Sequence, residues 1–192
     1  LVLVEWLGVS EVWVGGNFLF GHARSGTFAV LRDLGEKYGF KADKIDPVCV
    51  RDAVVSSTRV RRLLAEGRVD EAGVLLGRHF FIDGLVVGGD ERGRELGFPT
   101  ANLRTDNELV PPSGVYATIA RTSDGLQPAV TNIGVRPTFG GGGAASIETH
   151  LLQGGRDLYG ADLRLYFVQR LRDEQAFESA DALRARIAQD CR

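Results

Sequence analysis

Phe80-Phe-Ile-Asp-Gly-Leu-Val-Val-Gly-Gly-Asp-Glu-Arg-Gly-Arg-Glu-Leu-Gly-Phe-Pro-Thr-Ala-Asn102 joins an apolar run to a glycine-rich loop and a Pro-Thr-Ala-Asn segment. Phe80–Val87 is an apolar run stopped by two glycines, which predicts a strand leading into a loop. Working outward, strands punctuated by glycine and proline recur at Val115–Ala120, Gln127–Ile133, Ser146–Leu152 and Leu163–Leu171. A last helix is expected from Ser179 to Gln189, capped by Ser179, with Leu183 and Ile187 four residues apart. Several strands, long connections and one terminal helix predict a small closed antiparallel barrel with a helix packed on it.

Upstream of Gly77 the pattern changes. Glu11–Gly15 predicts a strand, Phe28–Tyr38 a helix, Lys44–Val50 a strand, and Val69–Leu76 a short helix ended by Gly77. Between the last two, Ser56-Ser-Thr58 precedes Val60, Leu63 and Leu64, an N-cap cluster opening another helix. Strand–helix–strand–helix order implies part of a parallel α/β layer. The expected division is therefore an α/β fragment over residues 1–77 and a mainly β module over residues 78–192.

The 192 residues carry 23 basic and 25 acidic side chains, a net charge of −2. Nothing in that balance favours nucleic acid or an anionic membrane surface. No apolar run approaches the roughly 20 residues of a membrane span. Leu1–Leu7 is apolar but short, includes Glu5 and has no basic leader, so a signal peptide is not expected. Cys49 and Cys191 form neither a disulfide framework nor a metal knuckle, which fits a reducing cytoplasm. The chain contains no methionine and opens inside what reads as a helix, so it is expected to be part of a longer polypeptide.

Chemistry concentrates in three stretches. In Gly88–Asn102, Gly88, Gly89, Gly93 and Gly97 would let backbone amides approach an anion, with Arg92 and Arg94 adding charge; a plain surface turn is the alternative. No phosphate-binding G-x-x-x-x-G-K-[ST] loop occurs in the chain. Thr100 and Asn102, two apart in an extended segment, face one side and offer oxygens suited to Mg²⁺, or else satisfy a turn. In Ser146–Leu152, Ile147, Thr149 and Leu151 fall on one face while Glu148 and His150 fall on the other. Glu148 is either a solvated side chain or a general base, and His150 a structural or assisting histidine. In Arg170–Phe177, an arginine and an aromatic could close on a planar ligand, or simply join a strand to a helix. Ser56–Arg59, at a helix start, allows phosphate binding or plain capping.

Taken together, Gly15–Gly21, Ser56–Arg61, Gly93–Leu103, Asn132–Phe139, Ile147-Glu-Thr-His150 and Leu171–Glu174 resemble the prokaryotic bifunctional riboflavin kinase/FAD synthetase family. The resemblance covers nearly the whole chain in order. It implies a six-stranded antiparallel β-barrel with a C-terminal helix, preceded by the back part of a Rossmann-like adenylyltransferase module whose front part lies outside this sequence. It implies Mg²⁺ and ATP held by Thr100 and Asn102, with Glu148 as catalytic base. Gly88, Arg94, Leu151 and Tyr159 would line the nucleotide site, and Arg172, Gln175 and Phe177 would cover the flavin. Riboflavin and ATP would be substrates, FMN and ADP products.

The family's His-x-Gly-His signature is not found around His22, His79 or His150, which stand apart from one another. Asn17, Ser57, Thr58 and Arg59 are then expected to be vestiges of an adenylyltransferase site, with FAD made only by an intact parent. The competing expectation is a flavin- or nucleotide-binding module without catalysis. No nucleic-acid, membrane or obligate protein partner is expected.

Overall fold

Apolar alternation in the C-terminal two thirds closes a barrel, and the N-terminal third builds a separate small α/β unit. The computed structural model describes residues 2–89, 92–135, 145–154 and 158–192. Arg136–Phe139, part of the motif expected from Asn132 onward, lies outside the described residues, as does Gly140–Gly143.

The first unit spans Leu1–Val55. A π-helical turn at Val2–Trp6 precedes β1 (Glu11–Gly15); α1 (Phe28–Tyr38) then crosses to β2 (Lys41–Ile45), which pairs with β1 in parallel. Thr27 caps α1 by accepting from the Val30 amide, and Gly39 ends it in the left-handed conformation. Val14, Leu31 and Phe40 form its small core. The strand expected over Lys44–Val50 is corrected here: β2 stops at Ile45, and β3 (Cys49–Val50) begins a two-residue hairpin with β4 (Ala53–Val54). Pro47 explains the break, because it lacks the amide that a ladder needs.

The second unit spans Ser56–Arg192. It opens with α2 (Ser57–Ala65), capped by Ser56, and α3 (Val69–Leu76), ended by Gly77. The compact units thus meet at Val55/Ser56, upstream of the change in composition at Gly77. Val60, Leu63, Leu64, Val69 and Ala72 are buried in the same cluster as the barrel strands. Composition assigned these helices to the first module because helices and strands alternate there. Packing assigns them to the second.

The barrel strands are β5 (Phe80–Val87), β6 (Ala101–Arg104), β7 (Gly114–Thr122), β8 (Gly125–Val135), β9 (Ala145–Leu151) and β10 (Asp162–Arg172). They close in the order β10-β5-β6-β9-β8-β7, every pair antiparallel. Between β5 and β6 lies α4 (Arg92–Glu95), one turn inside the glycine-rich segment. At the C-terminus α5 (Ala180–Asp190) starts on Ser179, whose hydroxyl accepts from the Ala182 amide at 3.2 Å.

Inward positions alternate as a pleated strand requires. Ile82, Val86, Leu103, Tyr116, Ile133, Ile147, Leu163, Leu165 and Phe167 fill the interior. Three threonines are buried among them. The Thr118 and Thr131 hydroxyls are 2.8 Å apart and those of Thr131 and Thr149 3.0 Å, while Thr118 also donates to the Ala129 carbonyl. This ladder satisfies polar groups that would otherwise be costly to bury, and it ties β7, β8 and β9 in one register.

Candidate active site

Strand pairing places one residue from each of five strands in a single row. Asn102 pairs opposite Glu148, Glu148 opposite Asn132, Asn132 opposite Val115, and Val115 opposite Arg172. All five line one cleft of about 700 Å³ on the outside of the barrel. Directly opposed residues in an antiparallel pair bring their Cβ atoms to ~4.5–5.5 Å. Glu148 is thus flanked by two amide side chains, one on each neighbouring strand. Its Oε1 accepts from the Ser146 hydroxyl at 3.1 Å.

His150 and Val130 form the next row along, beside Thr100. His150 Nδ1 lies 2.8 Å from the Pro99 carbonyl, so in the tautomer that donates there it fixes the Pro99–Asn102 segment against β9. Its ring also meets Phe98 edge-on at 5.3 Å. The Gly89 backbone lies so close to the Asn102 amide that a Cβ at position 89 would overlap it. The glycine-rich segment therefore reaches the row through backbone, the approach glycine permits.

The opposite wall is α5 and the segment before it. Leu183 and Ile187 turn toward the cleft, and no residue of α5 is fully buried. Arg184 Nε donates to the Leu96 carbonyl at 3.0 Å, joining α5 to the glycine-rich segment. Glu174 reaches back over β8, where its Oε1 accepts from the Asn132 amide at 3.2 Å and lies against Gly134. Cys191, just past the helix, has its thiol pushed up by burial and then by the neighbouring Asp190 charge.

Among the residues singled out from the sequence, Thr100, Asn102, Glu148, Arg172, Gln175 and Phe177 meet at this cleft. Gly88 follows β5 with open space where a Cβ would lie, and Arg94 lies exposed in α4; neither lines the cleft, although Gly93 does. Leu151 points the other way, into the barrel core with Ile147. Tyr159 is exposed outside the cleft. Arg172 was expected on a covering loop, but it is the last residue of β10 and largely buried. Asn17 is exposed in the first unit; Ser57, Thr58 and Arg59 form the exposed first turn of α2, with Ser56 accepting from the Arg59 amide.

Sequence reasoning missed Asn132, Glu174 and Asp190 as site residues. Asn132 was legible only through register. Glu174 and Asp190 needed the path of the chain between β10 and α5.

The described residues contain no cluster of three or more His, Cys, Asp or Glu side chains able to hold a metal ion. The Thr100 hydroxyl, the Asn102 amide and the Glu148 carboxylate instead form a sparse oxygen donor set on one side of the cleft. That set fits Mg²⁺, which keeps most of its water and phosphate ligands and takes one or two from protein.

Residues 76–192 match the family described as riboflavin kinase, and residues 1–59 match one described as FAD synthetase. The bifunctional riboflavin kinase/FMN adenylyltransferase of Pseudomonas fluorescens is 43% identical over 98% of this chain and 61% of its own length. The protein of the same name from Escherichia coli K12 is 41% identical over 98% and 60%, and that of Bacillus subtilis 168 is 36% identical over 96% and 59%. The chain thus spans about 60% of the length of these relatives. A solved structure described as a macrolide-efflux protein from Streptococcus pneumoniae superposes with a TM-score of 0.83 at 32% identity, over 92% of this chain and 57% of that one.

Proposed function

This chain belongs to the riboflavin kinase family, and from that premise we propose that its Ser56–Arg192 unit transfers the terminal phosphoryl group of ATP to the ribityl 5′-hydroxyl of riboflavin. The products are FMN and ADP. The observation that carries this reading is the row in which Glu148 stands between Asn102 and Asn132 on the cleft floor, beside Thr100.

Glu148 accepts the proton of the attacking hydroxyl as the new P–O bond forms and the bond to ADP breaks. Thr100 and Asn102 hold Mg²⁺ and the nucleotide phosphates. When bound, the ion neutralises charge developing on the phosphoryl oxygens. Gly88 and Arg94, outside the cleft lining, stay candidates to reach the phosphates from the glycine-rich segment. Tyr159 stays a candidate for the nucleotide's far end, whereas Leu151 acts by packing the core. The apolar slot between α5 and the barrel suits a flavin ring, with Gln175 and Phe177 on its rim and Arg172 beneath. Catalysis of this kind rests on positioning and on electrostatics in a site from which water is excluded.

The parent polypeptide would also adenylylate FMN to FAD, using residues outside this sequence. The chain by itself would make FMN and no FAD. A cytoplasmic location suits the two unpaired cysteines. None of the described helices is long and apolar enough to cross a membrane.

The test is to incubate the purified chain with riboflavin, Mg²⁺ and ATP and to follow FMN and FAD separately. FMN accumulating in step with ADP, without FAD, is the expected result. Tight riboflavin binding with no turnover would replace the kinase by a binding module.

A further inference from the structure

The cleft wall formed by α5 is held by charge rather than by a core. Asp190, the last residue of α5, accepts from Arg172 Nε at 3.0 Å and from Nη2 at 2.7 Å. The two side chains are only 6% and 12% exposed. Arg186, one turn earlier on α5, places its Nε 3.3 Å from the other oxygen of Asp190. The Arg172 guanidinium also donates to the Asp173 carbonyl and lies 5.8 Å from the Phe177 ring centroid. One buried carboxylate therefore gathers three pieces of the cleft: the end of β10, the segment carrying Phe177, and the helix carrying Leu183 and Ile187.

We propose that Asp190 is a positioning residue for the flavin half of the cleft: through its buried pair with Arg172 it fixes the spacing between α5 and the barrel and the attitude of Phe177. The proposal rests on the riboflavin kinase reading. It alters what Arg172 does, since a guanidinium already engaged two-pronged by a carboxylate acts through that carboxylate rather than as a free cation for the ring. A slot for a planar ring tolerates little change of width, because apolar contacts fall off over fractions of an ångström. The nucleotide residues Thr100 and Asn102 belong to β6 and the segment before it, and along the row Glu148, Asn132 and Val115 stand between Asn102 and Arg172.

The experiment compares wild type with Asp190→Asn and Asp190→Glu, measuring KM separately for riboflavin and for ATP, kcat, and riboflavin affinity by quenching of flavin fluorescence. Asp190→Asn is expected to weaken riboflavin about tenfold or more, while the KM for ATP stays within about twofold. Asp190→Glu, which keeps the charge pair, should recover most of the loss. Equal shifts in both KM values, or unchanged riboflavin affinity, would overturn the proposal. If Asp190→Asn does not fold, the double variant Arg172→Met/Asp190→Leu supplies an apolar pair of similar bulk. It is expected to fold and to bind riboflavin weakly, and wild-type riboflavin affinity in that variant would overturn the proposal as well. Absence of riboflavin binding and turnover in the wild type would instead strike the kinase reading. The geometry would then still be judged by amide exchange across residues 177–187, expected to quicken in Asp190→Asn; unchanged exchange there would overturn it.

Discussion

The two units of this chain solve the same problem with different means. The Ser56–Arg192 unit closes its sheet on itself, so every barrel strand has two neighbours and no edge remains. Its buried threonines are paired across strands, and helices α2 and α3 seal one flank. The Leu1–Val55 unit has two parallel strands, one crossover helix and a three-residue core. It leaves Trp6, Leu7 and Trp13 at the surface. Closure of the sheet decides which unit can carry the cleft. A cleft built from a five-strand row needs a frame that cannot slip by one residue, because such a slip would turn Glu148 into the core. Only the closed unit provides that frame.

The largest effect is expected from truncation near the boundary. A chain starting at residue 78 removes α2 and α3 and with them Val60, Leu63, Leu64, Val69 and Ala72. Each large apolar side chain so lost is worth about 1.5–3 kcal/mol of burial. Such a chain is expected to aggregate or to bind hydrophobic dye, whereas one starting at residue 56 should be soluble and melt cooperatively. A well-folded 78–192 chain would return the boundary to Gly77.

Glu148→Ala comes next. Loss of a general base lowers kcat by roughly 10²–10⁴-fold. The circular dichroism spectrum and melting temperature should stay near wild type, as the side chain faces the cleft. Retained turnover would remove Glu148 as base. Thr100→Ala should raise the KM for Mg·ATP about tenfold with little change for riboflavin. Parallel loss of both would make Thr100 a structural residue.

Thr131→Val sharpens the comparison from the stability side. It removes the central hydroxyl of the ladder and leaves Thr149 without that partner. The expected cost is about 1–3 kcal/mol in denaturant unfolding, with no change in KM for either substrate. A neutral result would mean that the ladder does not hold the register.

Much of this was legible in the sequence, for identifiable reasons. An apolar run stopped by glycines marked Phe80–Val87, two-residue alternation marked the strand carrying Glu148, and serine caps marked α2 and α5. Two-residue spacing placed Glu148 and His150 on one face and Ile147, Thr149 and Leu151 on the other, as found. Short β6 hid behind glycines, and Pro47 split an apparently continuous strand. The allegiance of α2 and α3 was invisible because an amphipathic helix does not say which core it covers. Asn132 and Asp190 escaped because their roles are set across the molecule. Asn132 faces Glu148 only through register, and Asp190 meets Arg172 only after the chain turns back from β10. Arg172, expected to cover the flavin, is paired with a carboxylate that only the fold brings to it.

The most direct test of the division of labour is FMN formation by residues 56–192 alone, measured beside the 192-residue chain under saturating riboflavin, Mg²⁺ and ATP. Turnover within about twofold of the longer chain, a difference of ~0.4 kcal/mol in barrier, is the predicted result. A folded 56–192 unit that binds ATP and forms no FMN would contradict the account.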